Sequence, residues 1–248
     1  MRSPALAGST VSSARTTSGL PARALGLALV GLTLASCASQ FEIRDRPIPF
    51  TDARIAHTES YARARYGLET HRITPRVIVL HWTAIPTLED SYAAFVPETL
   101  PGARGEIASA GAVNVSVQFL VGQDGETFRL MPETWMGRHV IGLNHVAIGV
   151  ENVGGVDGVD DLTGQQITSN AALVEYLAAK YPTIEYLIGH HEYRRFEQHP
   201  LWLESDPDYR TEKSDPGDRF MSAVRHRVRR LGLKGLAEIA AESEQMPD

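Results

Sequence analysis

Polar residues with usable chemistry fall where short apolar runs end. His81 follows Val77-Ile78-Val79-Leu80, Glu151 follows Val146-Ala147-Ile148-Gly149-Val150, and His190 follows a run over residues 185–188 and a glycine. Asp215 lies in Lys213-Ser214-Asp215-Pro216-Gly217, a turn that proline and glycine hold rigid. A catalytic zinc site draws three ligands from His, Asp, Glu or Cys and keeps a fourth position for water. Histidines and an aspartate delivered from distant stretches suit such a centre. Taken singly, each has a plainer explanation: a lone histidine at a strand end is more often structural than ligating, and an aspartate before Pro-Gly is more often a turn residue.

The elements that must carry these residues can be read from periodicity. Residues 77–80 have the β-branched, aliphatic make-up of a strand covered on both faces. Thr87 with Asp90 forms a capping-box pattern, after which Leu88, Tyr92 and Phe95 share one helical face. Residues 114–121 and 126–131 are strand-like, and Asp124-Gly125 supplies the turn of a hairpin between them. Residues 146–150 predict another buried strand. Thr168 is placed to cap a helix running to Tyr181, stopped by Pro182, with Val174, Leu177, Ala178 and Tyr181 at helical spacing. Residues 185–188 form a short strand, and a last helix from Asp218 aligns Phe220, Val224, Val228 and Leu231. Strands alternating with helices, plus one hairpin, predict an α/β fold: a mixed central β-sheet flanked by helices on both faces, in a single domain over residues 76–232. His81, Glu151 and His190 would then sit at strand ends, where such sheets gather function.

The flanks look different. Residues 1–36 carry Arg2, Arg15 and Arg23 and no acid, and an apolar run over residues 24–35 precedes Cys37. That is the layout of an export signal, too short to span a bilayer, which takes about 20 apolar residues. Leu34-Ala35-Ser36-Cys37 resembles the lipobox of bacterial lipoproteins, which predicts a lipid on Cys37 and anchoring to a membrane. Cys37 is the only cysteine, so no internal disulfide competes for it. Ala38 follows it, and by analogy with lipoprotein sorting the expected location is the outer membrane, facing the periplasm. Residues 37–75, with Pro47 and Pro49 and no clear period, read as a tether and lead-in segment, and residues 233–248 as a C-terminal tail. The net charge is −6 and becomes −9 without the three leader arginines, which argues against a nucleic-acid partner.

Four motifs then occur in one order: Val77-Ile78-Val79-Leu80-His81-Trp82-Thr83-Ala84, Ala147-Ile148-Gly149-Val150-Glu151-Asn152, Gly189-His190-His191-Glu192 and Lys213-Ser214-Asp215-Pro216-Gly217. In this the chain resembles the zinc-dependent N-acetylmuramoyl-L-alanine amidases of type 2, similar to AmpD and AmiD and related to phage lysozyme-amidases and peptidoglycan recognition proteins. The resemblance covers about residues 76–220. It implies Zn2+ held by His81, His190 and Asp215, with Glu151 as catalytic carboxylate and Lys213 as the cation beside the developing oxyanion. It also implies a peptidoglycan or muropeptide substrate, with His139 and Asn152 near it. A non-catalytic peptidoglycan-binding lipoprotein of the same fold is the alternative, but such modules typically lack a ligand, and here every expected position is filled.

Two departures stand out. His190 and Asp215 are 25 residues apart, longer than the family interval, so residues 192–212 must loop out and return, with Phe196, His199, Trp202 and Tyr209 available to wall a groove. Gln118 stands where many relatives have a histidine. His191 is a weaker ligand candidate, because neighbours on an extended chain point to opposite sides. His145, His199 and His226 read as surface or packing residues, and the arginines at 225, 227, 229 and 230 as a solvated helix face.

Overall fold

The computed structural model describes residues 41–102 and 110–244. The first strand of its site-bearing part is β2 (Val77–Trp82), whose residues are all buried. That strand pairs in parallel with β5 (Ala147–Asn152) on one side and β6 (Tyr186–Gly189) on the other. Beyond β5 lies β3 (Phe119–Val121), parallel to it, then β4 (Thr127–Arg129), antiparallel to β3 across the expected Asp-Gly turn. A last strand, β1 (Ile43–Asp45), adds in parallel to β4, giving the order β1-β4-β3-β5-β2-β6.

Alternation along β3 splits the core between two faces. Phe119 and Val121 join the larger apolar cluster, whereas Leu120 joins a smaller one with Ile48, Val117, Phe128 and Val153. The short helix α2 (Leu88–Phe95), capped by the Thr87 hydroxyl on Asp90 N at 3.1 Å, covers the smaller cluster with Phe95, Leu88 and Tyr92. The larger cluster takes Leu173, Val174 and Leu177 from α3 (Gly164–Lys180) and Phe220, Val224 and Val228 from α4 (Asp218–Val228), and these two helices pack on each other. Helices thus lie on both faces of the sheet, as the pattern required.

The α3 start differs from the sequence expectation. Thr163, not Thr168, is the N-cap, in a capping box with Gln166, whose Nε2 also donates to the Val153 carbonyl at 2.9 Å. Thr168 sits one turn in and donates to the Gly164 carbonyl. Tertiary bonds to the neighbouring strand end reward the earlier start, which propensity alone does not see.

Two segments read as lying outside the domain pack within it. Residues 41–75 hold β1 and the helix α1 (Asp52–Tyr66), capped by Thr51 and ended by Gly67 at φ 67. The inward residues of α1 are Arg54, Thr58, Tyr61, Ala62, Arg65 and Tyr66. A helix that buries arginines and a threonine shows no apolar period, so its sequence passed for a tether. In the same way the expected tail holds α5 (Leu236–Glu244), which contributes only Ile239 to the core and is otherwise tied by polar contacts. Glu242 meets Lys234 at 2.6 Å and the Tyr186 hydroxyl at 2.6 Å. Among the described residues no helix is long and apolar enough to cross a membrane. The leader, Cys37 and the segment 103–109 lie outside the described residues.

Candidate metal centre

Strand register assembles the site. His81 on β2 faces Glu151 on β5, and Leu80 faces Gly189 on β6, so His190 emerges beside His81 at the next position. Residues in register on neighbouring strands share a face, which puts an imidazole and a carboxylate at one sheet edge without any loop. His190 is turned inward by the short 3-10 helix (His190–Phe196) that begins with it. Glu192 accepts from Gly189 N at 2.8 Å and is itself held by Arg225 at 2.8 Å, which fixes that turn.

Asp215 completes the group from the turn that precedes α4. Its Oδ2 lies 3.0 Å from His190 Nδ1 and 3.2 Å from His81 Nδ1, and all three side chains are buried. The Asp215 carbonyl accepts from His191 N at 2.8 Å and from the His191 ring at 2.9 Å, while the other ring nitrogen reaches Asp218 at 3.1 Å. His191 therefore locks the loop and is turned away from the centre. Gly217, at φ 86, is required: a side chain there would run into Asp160, which accepts from Phe220 N at 3.1 Å and so anchors α4 next to the site.

The electrostatics follow from burial. Desolvation lowers His81 to about 4, and the neighbouring His190 and Lys213 charges push the same way against Asp215. Burial works against the Asp215 carboxylate too, but His190 and His81 outweigh it and hold its pKa well below the ordinary range. A deprotonated Asp215 carboxylate facing a neutral His81 imidazole is the protonation state a metal ligand needs. The donor set also fits a metal by type and spacing. Ligands 2.0–2.1 Å from a tetrahedral zinc would stand about 3.3 Å apart, close to the observed separations, and one donor from each of His81, His190 and Asp215 lies within 4.8 Å of the others. Zinc would be held by these three residues.

The groove over this group is lined by Glu151 and Lys213, and also by Thr83, Ala84, Ile85 and Val140. The insertion supplies part of its wall. Tyr209 and Thr211 line the groove, and Thr211 is pinned by the Tyr193 hydroxyl, which donates to its carbonyl at 2.7 Å and accepts from its N–H at 2.9 Å. Phe196 and His199 are instead buried in packing, and Trp202 stacks on Tyr193. Sequence reasoning missed Tyr61, which reaches the groove from α1, and Ala84, whose φ of 54 is unusual for a residue with a side chain. Neither carries a sequence signal.

Asn152 is corrected. It is fully buried below the groove, donating to the His81 carbonyl at 3.0 Å and pairing with Asn170 at 2.7 Å, so it braces a strand end and does not face substrate. Gln118 likewise braces the sheet, donating to the Trp135 carbonyl at 2.6 Å and accepting from Gly149 N at 2.7 Å. His139 lines the groove with its ring turned onto His81.

The family profile Amidase_2, described as N-acetylmuramoyl-L-alanine amidase, matches residues 69–218. Among solved structures, the chain is similar to the N-acetylmuramoyl-L-alanine amidase LysC from Clostridium intestinale URNW, with 21% identity, 76% of this chain and 97% of that chain covered, and a TM-score of 0.46. It is also similar to a selenomethionine AmpD derivative (23% identity, 77% and 94% covered, TM-score 0.44). A third is peptidoglycan recognition protein-LE in complex with tracheal cytotoxin (17%, 67% and 89%, TM-score 0.44). No curated protein gives a significant match.

Proposed function

The chain belongs to the N-acetylmuramoyl-L-alanine amidase family, and from that membership we propose that it is a zinc-dependent hydrolase of the amide between N-acetylmuramic acid and L-alanine in peptidoglycan or its muropeptides. The observation that carries this reading is the convergence of His81, His190 and Asp215 beneath a groove that Glu151 and Lys213 also line. A domain kept only for binding would have no need of a complete, buried ligand set.

Bound there, zinc supplies a Lewis acid that acidifies water and polarises a carbonyl. Glu151, in register with His81, takes the proton of the attacking water and returns it to the leaving L-alanine nitrogen. Lys213, exposed at the rim, offsets the negative charge that grows on the carbonyl oxygen. Burial keeps the His81 ring neutral and so available as a ligand near neutral pH.

The proposal extends to location. The export-signal layout and the Leu34-Ala35-Ser36-Cys37 sequence support a lipid on Cys37 and attachment to a membrane, the outer membrane facing the periplasm, which would put the enzyme beside its substrate. Digestion of purified sacculi, with products identified by mass, tests the activity. Release of stem peptides with a free L-alanine amine, abolished by chelator and restored by zinc, is expected. Binding to sacculi without release would overturn it in favour of a binding protein.

A further inference from the structure

His139 meets His81 in a T-shaped contact, with 5.1 Å between ring centres. Its Nδ1 is 3.0 Å from His81 Nε2, and its Nε2 is 3.4 Å from the Ala147 carbonyl. A carbonyl only accepts, so His139 Nε2 carries the proton of that ring. Among the described residues no carboxylate meets the His139 ring, and His81 is buried, so each ring carries one proton. The bare His139 Nδ1 must then accept, and its donor is His81 Nε2–H. What remains is a bare His81 Nδ1, the atom 3.2 Å from Asp215 Oδ2. Lone pairs on a nitrogen and a carboxylate face each other there, an arrangement that a cation between them relieves.

We propose that His139 is a positioning residue that relays the Ala147 carbonyl to His81, holding His81 in the tautomer whose Nδ1 faces Asp215 and His190. It acts through the ligand and not by touching substrate. The surroundings clamp the ring for this purpose. A Cβ at Gly149 would come within 2.8 Å of the His139 ring, so only glycine lets the imidazole lie against β5. On the backbone side, His139 N and Val140 N both donate to Asn144 Oδ1 at 2.8 Å, and Asn144 donates to the Tyr66 hydroxyl at 2.9 Å. Outer partners that orient a ligating histidine commonly change metal affinity by about 10–100-fold.

The inference rests on the zinc reading for its affinity arm alone. With the full chain in detergent, zinc affinity is measured by chelator competition, and the His81 tautomer of the metal-free protein by long-range nitrogen–proton correlation. The native protein is expected to carry the His81 proton on Nε2. His139→Leu should move that proton to Nδ1 and weaken zinc by about 10–100-fold. His139→Asn, whose Oδ1 can accept in place of Nδ1, should recover most of both. Gly149→Ala, which pushes the ring away without removing it, should mimic the leucine variant and decides the matter if that variant does not fold. A native His81 proton on Nδ1, or a leucine variant with unchanged tautomer and affinity, overturns the inference. If the native chain binds no zinc, the proposed function fails, while the tautomer measurement still decides the relay.

Discussion

At the residue scale, ligands and catalytic groups should separate cleanly. His190→Ala and Asp215→Ala each remove a donor from a buried three-residue group, so zinc and activity should be lost together. Glu151→Ala and Lys213→Ala should keep one equivalent of zinc while turnover falls, by roughly 10²–10⁴-fold for the general acid–base carboxylate and on the order of 10²–10³-fold for the cation. Metal content measured beside kcat on a muropeptide checks all four; a Glu151→Ala protein that loses its zinc refutes the role given to Glu151. The buried histidines also make a pH prediction. Unfolded, His81 titrates near its ordinary 6.5, whereas folded it is held at about 4 by burial. Between those values the unfolded chain binds a proton that the native, metal-free chain refuses, so stability should fall as pH drops from 6.5 towards 4. His145, half-buried against Tyr66 and also lowered to about 4 by desolvation, acts in the same direction. Thermal melts in chelator across this range should show a falling Tm, and a flat profile would contradict the burial of these rings as neutral species.

At the element scale, α1 and the long insertion stabilise one another. Arg65 meets Glu204 at 2.7 Å with both side chains nearly closed off, and it lies 4.4 Å over the Tyr209 ring. Ser205 adds two bonds to the end of α1, its N–H to the Arg65 carbonyl at 3.0 Å and its hydroxyl to the Ala64 carbonyl at 2.8 Å. The helix that looked like a tether thereby holds the stretch that brings Tyr209 and Thr211 to the groove. Arg65→Met would leave Glu204 buried without its partner, a loss of roughly 3–5 kcal/mol by comparison with other broken buried pairs, and KM should rise as the wall loosens. Adding Glu204→Leu should return much of the stability, since a well-packed apolar pair can replace a buried ionic one. Urea denaturation of the single and double variants makes the comparison. A single variant as stable as the native protein would mean that the clamp does not hold the insertion.

At the scale of the whole molecule, the proposed lipid and the catalytic domain should be separable. Cys37→Ser should release the protein from membranes and leave zinc content and turnover on soluble muropeptides unchanged; sedimentation of the variant with membranes as before would dispose of the lipid. The sequence by itself determined the alternation of strands and helices, the hairpin and the order of motifs that carry His81, Glu151, His190 and Asp215. These are legible because buried strands and amphipathic helices leave a period in the chain, and because ligand chemistry restricts residue types. It did not determine α1 or α5. The inner face of α1 carries Arg54, Thr58 and Arg65, residues whose burial becomes tolerable only once distant carbonyls and carboxylates meet them, such as Phe95 and Val96 for Arg54 and Glu204 for Arg65. For the same reason His139 and Asn152 could not be told apart as groove residues: both follow polar positions near strands, and only packing sends one to the His81 ring and the other beneath the His81 carbonyl. Local pattern fixed which elements form, and the pairing of buried polar groups across the fold, which has no local signature, decided where those side chains finish.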